Sequence, residues 1–208
     1  MGNTTILTTS TLVGRRAPEF SASAVLANGE IADSASLTQL LEGQYGVLVF
    51  YPLDFTFVCP TELVALDQQV SAFAERGAKV LTISVDSQFT HAAWRNKSVS
   101  EGGIGPVNYT MVSDLSQEIM RHYGVQAPDA NVALRATFII DKQGVVQAQL
   151  VNNLPLGRNI DEMLRLLDAL QFYEAHGDVC PMNWRKGDAG MATTQADVKR
   201  YLNEVAMA

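Results

Sequence analysis

Three observations predict an α/β fold built on a mixed central sheet flanked by helices. Strand-like segments alternate with segments of helical period. A hairpin and a long helix follow them. The chain of 208 residues, 47% hydrophobic, is long and apolar enough to fill one core. One domain over residues 1–208 is expected, with residues 178–208 as a C-terminal arm.

The elements follow in order. After VGRRAPEF, where Pro18 argues against a central strand, residues 21–42 carry short apolar runs around an Asn28-Gly29 turn signal and read as a hairpin and a short helix. Residues 47–51 are β-branched and aromatic, the signature of a buried strand. Over residues 60–75, Leu63, Leu66, Val70 and Phe73 recur at spacings of three and four, a helical stripe that Arg76-Gly77 closes. Residues 79–86 form a second buried strand, 91–96 a short helix, 109–112 a third strand, and 115–123 a helix capped by Gly124. A right-handed crossover makes the first two buried strands parallel. Residues 136–150 read as two strands joined by a turn at 141–144. The run NIDEMLRLLDALQFYEAHG then combines an Asn159 cap, an acidic first turn and a strong apolar stripe, and ends at Gly177. The tail beyond Cys180 is the least core-like part of the chain.

Composition excludes some functions. A net charge of −7 with fifteen scattered Lys and Arg residues offers no patch for a phosphate backbone, so no nucleic-acid partner is expected. No run approaches a membrane span, and the N-terminus has no basic region ahead of an apolar core, so the expected setting is cytoplasmic. His91, His122 and His176 are too dispersed for a metal site and read as structural or surface residues. No cofactor is expected. Two cysteines make no disulfide framework, and in a reducing compartment such a pair is more often catalytic or inert.

Cys59 stands at a strand-to-helix corner in FYPLDFTFVCPTEL, and Pro60 after it suits a helix start, so Cys59 is expected at or near the N-cap. The thiolate, not the thiol, is the nucleophile, and a helix N-terminus or a nearby guanidinium favours it. Thr56 is placed to bring a hydroxyl beside the sulfur, and Pro52 to wall the pocket from water. A buried small hydrophobe is the bland alternative for Cys59.

The spacing Pro52, Thr56, Cys59 within DFTFVCPTEL resembles the active-site segment of the typical 2-Cys peroxiredoxins, the class that includes the bacterial alkyl hydroperoxide reductases of the C type. The resemblance extends to VGRRAPEF, SVDSQFTHAAWRN, RATFIID, VNNLPLGRNIDEMLR and GDVCPMNW, nearly the whole chain. It implies a thioredoxin-like fold and a thiol peroxidase. Cys59 would be the peroxidatic cysteine and Cys180 the resolving cysteine. Thr56 would position the peroxide oxygens, Pro52 shield the thiolate, Arg135 hold the thiolate and polarise the O–O bond, and Glu62 orient that arginine. The implied cycle takes a hydroperoxide substrate, needs no cofactor, joins Cys59 to Cys180 of the other subunit of a homodimer, and is reset by thioredoxin or a flavin-dependent disulfide reductase. Such dimers often assemble into a decamer, and edge pairing of residues 145–150 would build the dimer.

Two departures bear on over-oxidation. The family's sensitive members carry Gly-Gly-Leu-Gly and a C-terminal Tyr-Phe; this chain has Gly102-Gly103-Ile104-Gly105 and Tyr201-Leu202, so intermediate sensitivity is expected. Rival readings are weaker. A cysteine phosphatase needs an arginine where Ala65 stands, and a thiol-disulfide oxidoreductase needs a cysteine where Glu62 stands; a chaperone or redox-relay scaffold stays open but ranks second, because Cys59 and Cys180 in full motifs favour peroxidase activity first.

Overall fold

The computed structural model describes residues 11–206. Strands β1 (Ser21–Val25), β2 (Ile31–Ser36), β3 (Tyr45–Phe50), β4 (Ala78–Ser84), β5 (Thr110–Ser113), β6 (Arg135–Ile140) and β7 (Val146–Asn152) form one sheet in the order β2-β1-β5-β4-β3-β6-β7. β3, β4 and β5 run parallel, while the β1–β2 and β6–β7 hairpins add antiparallel strands on the two flanks. The mixed sheet expected from the sequence is thus present, and β7 lies at one of its edges.

Every residue of β3 is buried, as a central strand's continuous apolar run requires. Leu48 and Phe50 of β3 share a core with Leu81, Ile83, Val112, Phe138 and Ile140, into which α1 (Leu37–Leu41) and α5 (Glu118–His122) insert Leu37, Leu41, Ile119 and Met120. Tyr123 and Phe138 meet edge to face at 5.0 Å, an arrangement contributing about 0.5–1.5 kcal/mol beyond area burial. By the pleat, Val47 and Val49 face the other way.

Three expectations change. The helix expected over 60–75 is two helices, α2 (Cys59–Gln68) and α3 (Val70–Glu75), because Gln69 turns its N–H to the Leu66 carbonyl three residues back and leaves helical geometry at φ −111°. Leu63, Leu66 and Phe73 stay buried across the break, so apolar spacing alone cannot reveal it. The helix expected over 115–123 shortens to α5, since the Asp114 carboxylate accepts the Ile119 and Met120 N–H groups at 3.0 and 2.8 Å and caps the helix from upstream. The chain also ends in a further helix, α7 (Gln195–Ala206), where only an arm was expected. Thr194 caps it, accepting the Asp197 N–H at 3.1 Å and donating to the Asp197 carboxylate at 2.7 Å, a local signal the sequence carried.

The chain divides into two compact units, one ending at Ile160 and one beginning at Asp161. In the second, after α6 (Ile160–His176), Val179 bridges to Met191, and Trp184 packs its ring 4.9 Å from Phe172. In the first, α4 (Gln88–Asn96) leads into the glycine loop 102–105, where the Trp94 indole donates to the Gly102 carbonyl at 3.2 Å. A Cβ on Gly103 would lie 2.0 Å from the Lys97 carbonyl oxygen, which is backbone and has nowhere to go. Gly103→Ala is therefore expected to destabilise the protein by about 1–3 kcal/mol, read as a lower urea midpoint. An unchanged midpoint would mean the loop relaxes freely.

No described helix is long and apolar enough to cross a membrane. The extreme N-terminal residues, which support the cytoplasmic expectation, lie outside the described residues.

Candidate active site

β3 delivers the chain to the site and α2 receives it, with residues 51–58 as the connecting loop. Val58 has helical backbone and its carbonyl accepts the Thr61 and Glu62 N–H groups, so Cys59 is the first helical residue and Pro60 the second. No side chain caps α2, so the positive end of the helix dipole stays uncompensated beside the sulfur. Cys59 is only 1% exposed.

The loop is constrained at several points. Phe55 adopts φ +54°, a region a bulky residue enters only under external constraint, and its ring lies 5.5 Å from that of Trp94. Pro52 is buried at the loop's start. The Thr56 hydroxyl donates to the Leu53 carbonyl at 2.8 Å, which commits its proton and leaves its oxygen free to accept.

Antiparallel pairing of Phe50 with Ala136 brings Arg135, at the start of β6, beside the end of β3 and so beside Cys59, 76 positions earlier in the chain. An arginine before a strand is ordinarily a surface cation; this one is 4% exposed. Its Nη1 reaches the Cys59 sulfur at 3.4 Å and the Glu62 carboxylate at 2.9 Å, and its Nε donates to the Leu154 carbonyl at 2.6 Å. The guanidinium thus sets a positive charge and an N–H donor directly against the sulfur.

A second guanidinium, not anticipated from the sequence, completes this arrangement. Arg158 donates from its backbone N, Nε and Nη2 to Glu62 at 2.9, 3.0 and 2.9 Å, while its Nη1 donates to the Phe50 and Ala136 carbonyls at 2.8 Å. It ties the end of β3, the start of β6 and the first turn of α2 into one frame. The only signal for it was its place within the motif LPLGR. Burial pushes the Glu62 carboxyl up, but the hydrogen bonds and charge of Arg158, with the charge of Arg135, outweigh burial and hold it below its ordinary value. Glu62 therefore stays a carboxylate at neutral pH, bridging the two arginines.

A buried network below the loop was likewise not anticipated. Asp54 accepts from the Tyr51 hydroxyl at 2.6 Å and pairs with His91 Nδ1 at 2.8 Å, and its own N–H donates to the Asp86 carboxylate at 2.9 Å. Of the two roles left open for His91, the structure gives it the structural one: it is fully buried.

Cys59, Glu62 and Arg135 are thus brought together, with Thr56 and Pro52 on the loop that leads to them. Cys180 belongs to the second unit, half-buried, with its thiol 3.5 Å from the Ala169 carbonyl. Burial pushes that thiol up, partly offset by the charge of Arg165. Among the described residues, no group of three or more His, Cys, Asp or Glu side chains is disposed to hold a metal ion.

A buried cysteine at a strand-to-helix corner, with a guanidinium against its sulfur, places the molecule in the class of thiol-dependent redox enzymes of thioredoxin-like fold. The chain belongs to the AhpC/TSA family, whose model matches residues 13–149, while the model for the C-terminal domain of 1-Cys peroxiredoxin matches 169–204. It is 48% identical to alkyl hydroperoxide reductase C of Buchnera aphidicola subsp. Baizongia pistaciae, over 93% of this chain and 98% of that protein. It is 44% identical to thioredoxin peroxidase of Echinococcus granulosus, over 92% of this chain and 98% of that protein. The reduced 2-Cys peroxiredoxin of Plasmodium vivax superposes with a TM-score of 0.89 at 46% identity, covering 93% of this chain and all of that one.

Proposed function

We propose that the protein reduces hydrogen peroxide and organic hydroperoxides with two thiols, as the names of its relatives suggest for that family. The observation that carries this reading is the Arg135 guanidinium 3.4 Å from the buried Cys59 sulfur. The Cys59 thiolate attacks the terminal peroxide oxygen, the O–O bond breaks, the departing oxygen takes a proton to leave as water or an alcohol, and Cys59 becomes a sulfenic acid. Thr56, its own proton committed to Leu53, accepts a hydrogen bond from the peroxide O–H and so selects the neutral hydroperoxide. Arg135 stabilises the thiolate and the charge that develops on the leaving oxygen. Glu62 and Arg158 hold Arg135 in place, and Pro52 keeps water from the sulfur.

The sulfenic acid then condenses with the Cys180 thiol of a second subunit, forming a disulfide and releasing water. Cys180 is the only cysteine of the chain besides Cys59, so it is the thiol that resolves. An external dithiol, thioredoxin or a flavin-dependent disulfide reductase, restores both thiols by exchange; one relative carries thioredoxin in its name. The working form is a homodimer, built by pairing the β7 edge and assembling further into a decamer, in the reducing cytoplasm where free thiols persist.

Intact mass under reducing and non-reducing conditions, after one equivalent of hydrogen peroxide, tests the cycle. Parent protein should give a dimer that reductant splits, and Cys59→Ser and Cys180→Ser subunits mixed together should not form the same pair of bonds. Fast oxidation of Cys59 with no Cys59–Cys180 bond would reduce the reading to a one-cysteine peroxidase.

A further inference from the structure

Cys59 is buried and begins a helix, so it must leave its pocket before any protein thiol can reach it. The loop that would have to move is tied down at Asp54. Asp54 lies between Pro52 and Thr56, one residue before the left-handed Phe55, and is 6% exposed. Its carboxylate faces Tyr51 at the end of β3 and His91 on α4, and its N–H is held by Asp86, whose carboxylate also accepts the Ser84 hydroxyl at 2.7 Å. Burial and then the Asp54 charge push the Tyr51 phenol well up, so it remains a donor. His91 is anchored from its other side, with Nε2 3.3 Å from the Val112 carbonyl on β5. His91 is thus held at both ring nitrogens, one by the loop and one by the sheet. Opening the loop would strip Tyr51 and His91 of their buried partner, and a buried polar group without a partner is costly.

We propose that Tyr51, Asp54 and His91 form a latch that holds the peroxidatic loop closed, and that Asp54 is the positioning residue setting how Cys59 sulfenic acid divides between resolution and over-oxidation. This rests on the two-thiol peroxidase reading. In the closed loop, a second peroxide oxidises the sulfenic acid to sulfinic acid, releasing water or alcohol; in the open loop, the sulfenic acid meets the resolving thiol. None of the three latch residues touches the sulfur, so they act on the chemistry only through the loop.

Asp54→Ala, Asp54→Asn and His91→Gln are to be compared with the parent by stopped-flow fluorescence for the first oxidation, and by mass for sulfinic acid at rising hydrogen peroxide with thiol reductant present. Asp54→Ala should slow the first oxidation severalfold while lowering the ratio of sulfinic acid to disulfide about tenfold, the effect of losing one hydrogen bond to a charged group. Asp54→Asn, which keeps an acceptor for Tyr51, should fall between Asp54→Ala and the parent. A purely structural role would reduce the folded fraction without moving the ratio, so an unchanged or raised ratio in Asp54→Ala overturns the latch. If Asp54→Ala does not fold, the same ratio in His91→Gln decides. A parent that forms neither sulfenic nor sulfinic acid overturns the peroxidase reading itself, and the latch with it.

Discussion

Arg135→Met should slow the oxidation of Cys59 by hydrogen peroxide about 100- to 1,000-fold, the usual consequence of removing one preorganised donor from a developing charge. The substitution removes the guanidinium 3.4 Å from the sulfur and keeps most of the side chain's bulk. It leaves Glu62 held by Arg158 through three hydrogen bonds, so the frame around the site survives. Stability should fall only by about 1–3 kcal/mol, the cost of leaving the Leu154 carbonyl without its donor. Stopped-flow fluorescence and urea unfolding separate the two effects. Oxidation at the parent rate in folded Arg135→Met would remove Arg135 from the chemistry. Arg135→Lys should recover only part of the rate, because an ammonium cannot serve the sulfur, Glu62 and Leu154 from one planar fork.

Arg158→Met should have the opposite profile, with stability falling by about 3–5 kcal/mol. Arg158 is the main partner of the Glu62 carboxylate and the donor to two carbonyls from different strands, so its loss leaves the charge to Arg135 alone and takes a donor from both carbonyls. The pH dependence carries a sign. Because the folded Glu62 carboxyl lies below its ordinary value of 4.5, its contribution is fully present above that value and is lost as pH falls through the lower, folded one. In Arg158→Met, burial still pushes the carboxyl up while its largest opposing partner is gone, so acid unfolding should begin at higher pH than in the parent. Urea midpoints measured from about pH 7 down to about pH 3 check this. Identical acid profiles for parent and variant would mean that Arg135 alone keeps Glu62 ionised.

Much of the fold was legible because β3 and β4 announce themselves as continuous apolar runs, and because Asn28-Gly29 and residues 141–144 mark their hairpins by turn chemistry. The break at Gln69 was not legible, since the buried residues on either side keep helical spacing while the backbone tightens for one residue. The helix after Thr194 was legible in its cap but lies in a polar segment, where few apolar residues draw attention to it. At the site, Cys59 and its loop were readable as a local pattern, whereas Arg135 acquired a role only through resemblance. Nothing near position 135 in the chain indicates that β3–β6 pairing will carry it to the sulfur. Arg158 and the Tyr51–Asp54–His91 cluster escaped for the same reason: each joins segments tens of residues apart, and a single arginine or histidine in a sequence does not say whom it will meet.

The most direct test of the central claim is the state of Cys59 in Cys180→Ser protein mixed with one equivalent of hydrogen peroxide and quenched with a sulfenic-acid trap. The account predicts one trapped oxygen on the Cys59 peptide within seconds, and none in a Cys59→Ser control. Peroxide that persists while Cys59 remains a thiol in folded protein would contradict it.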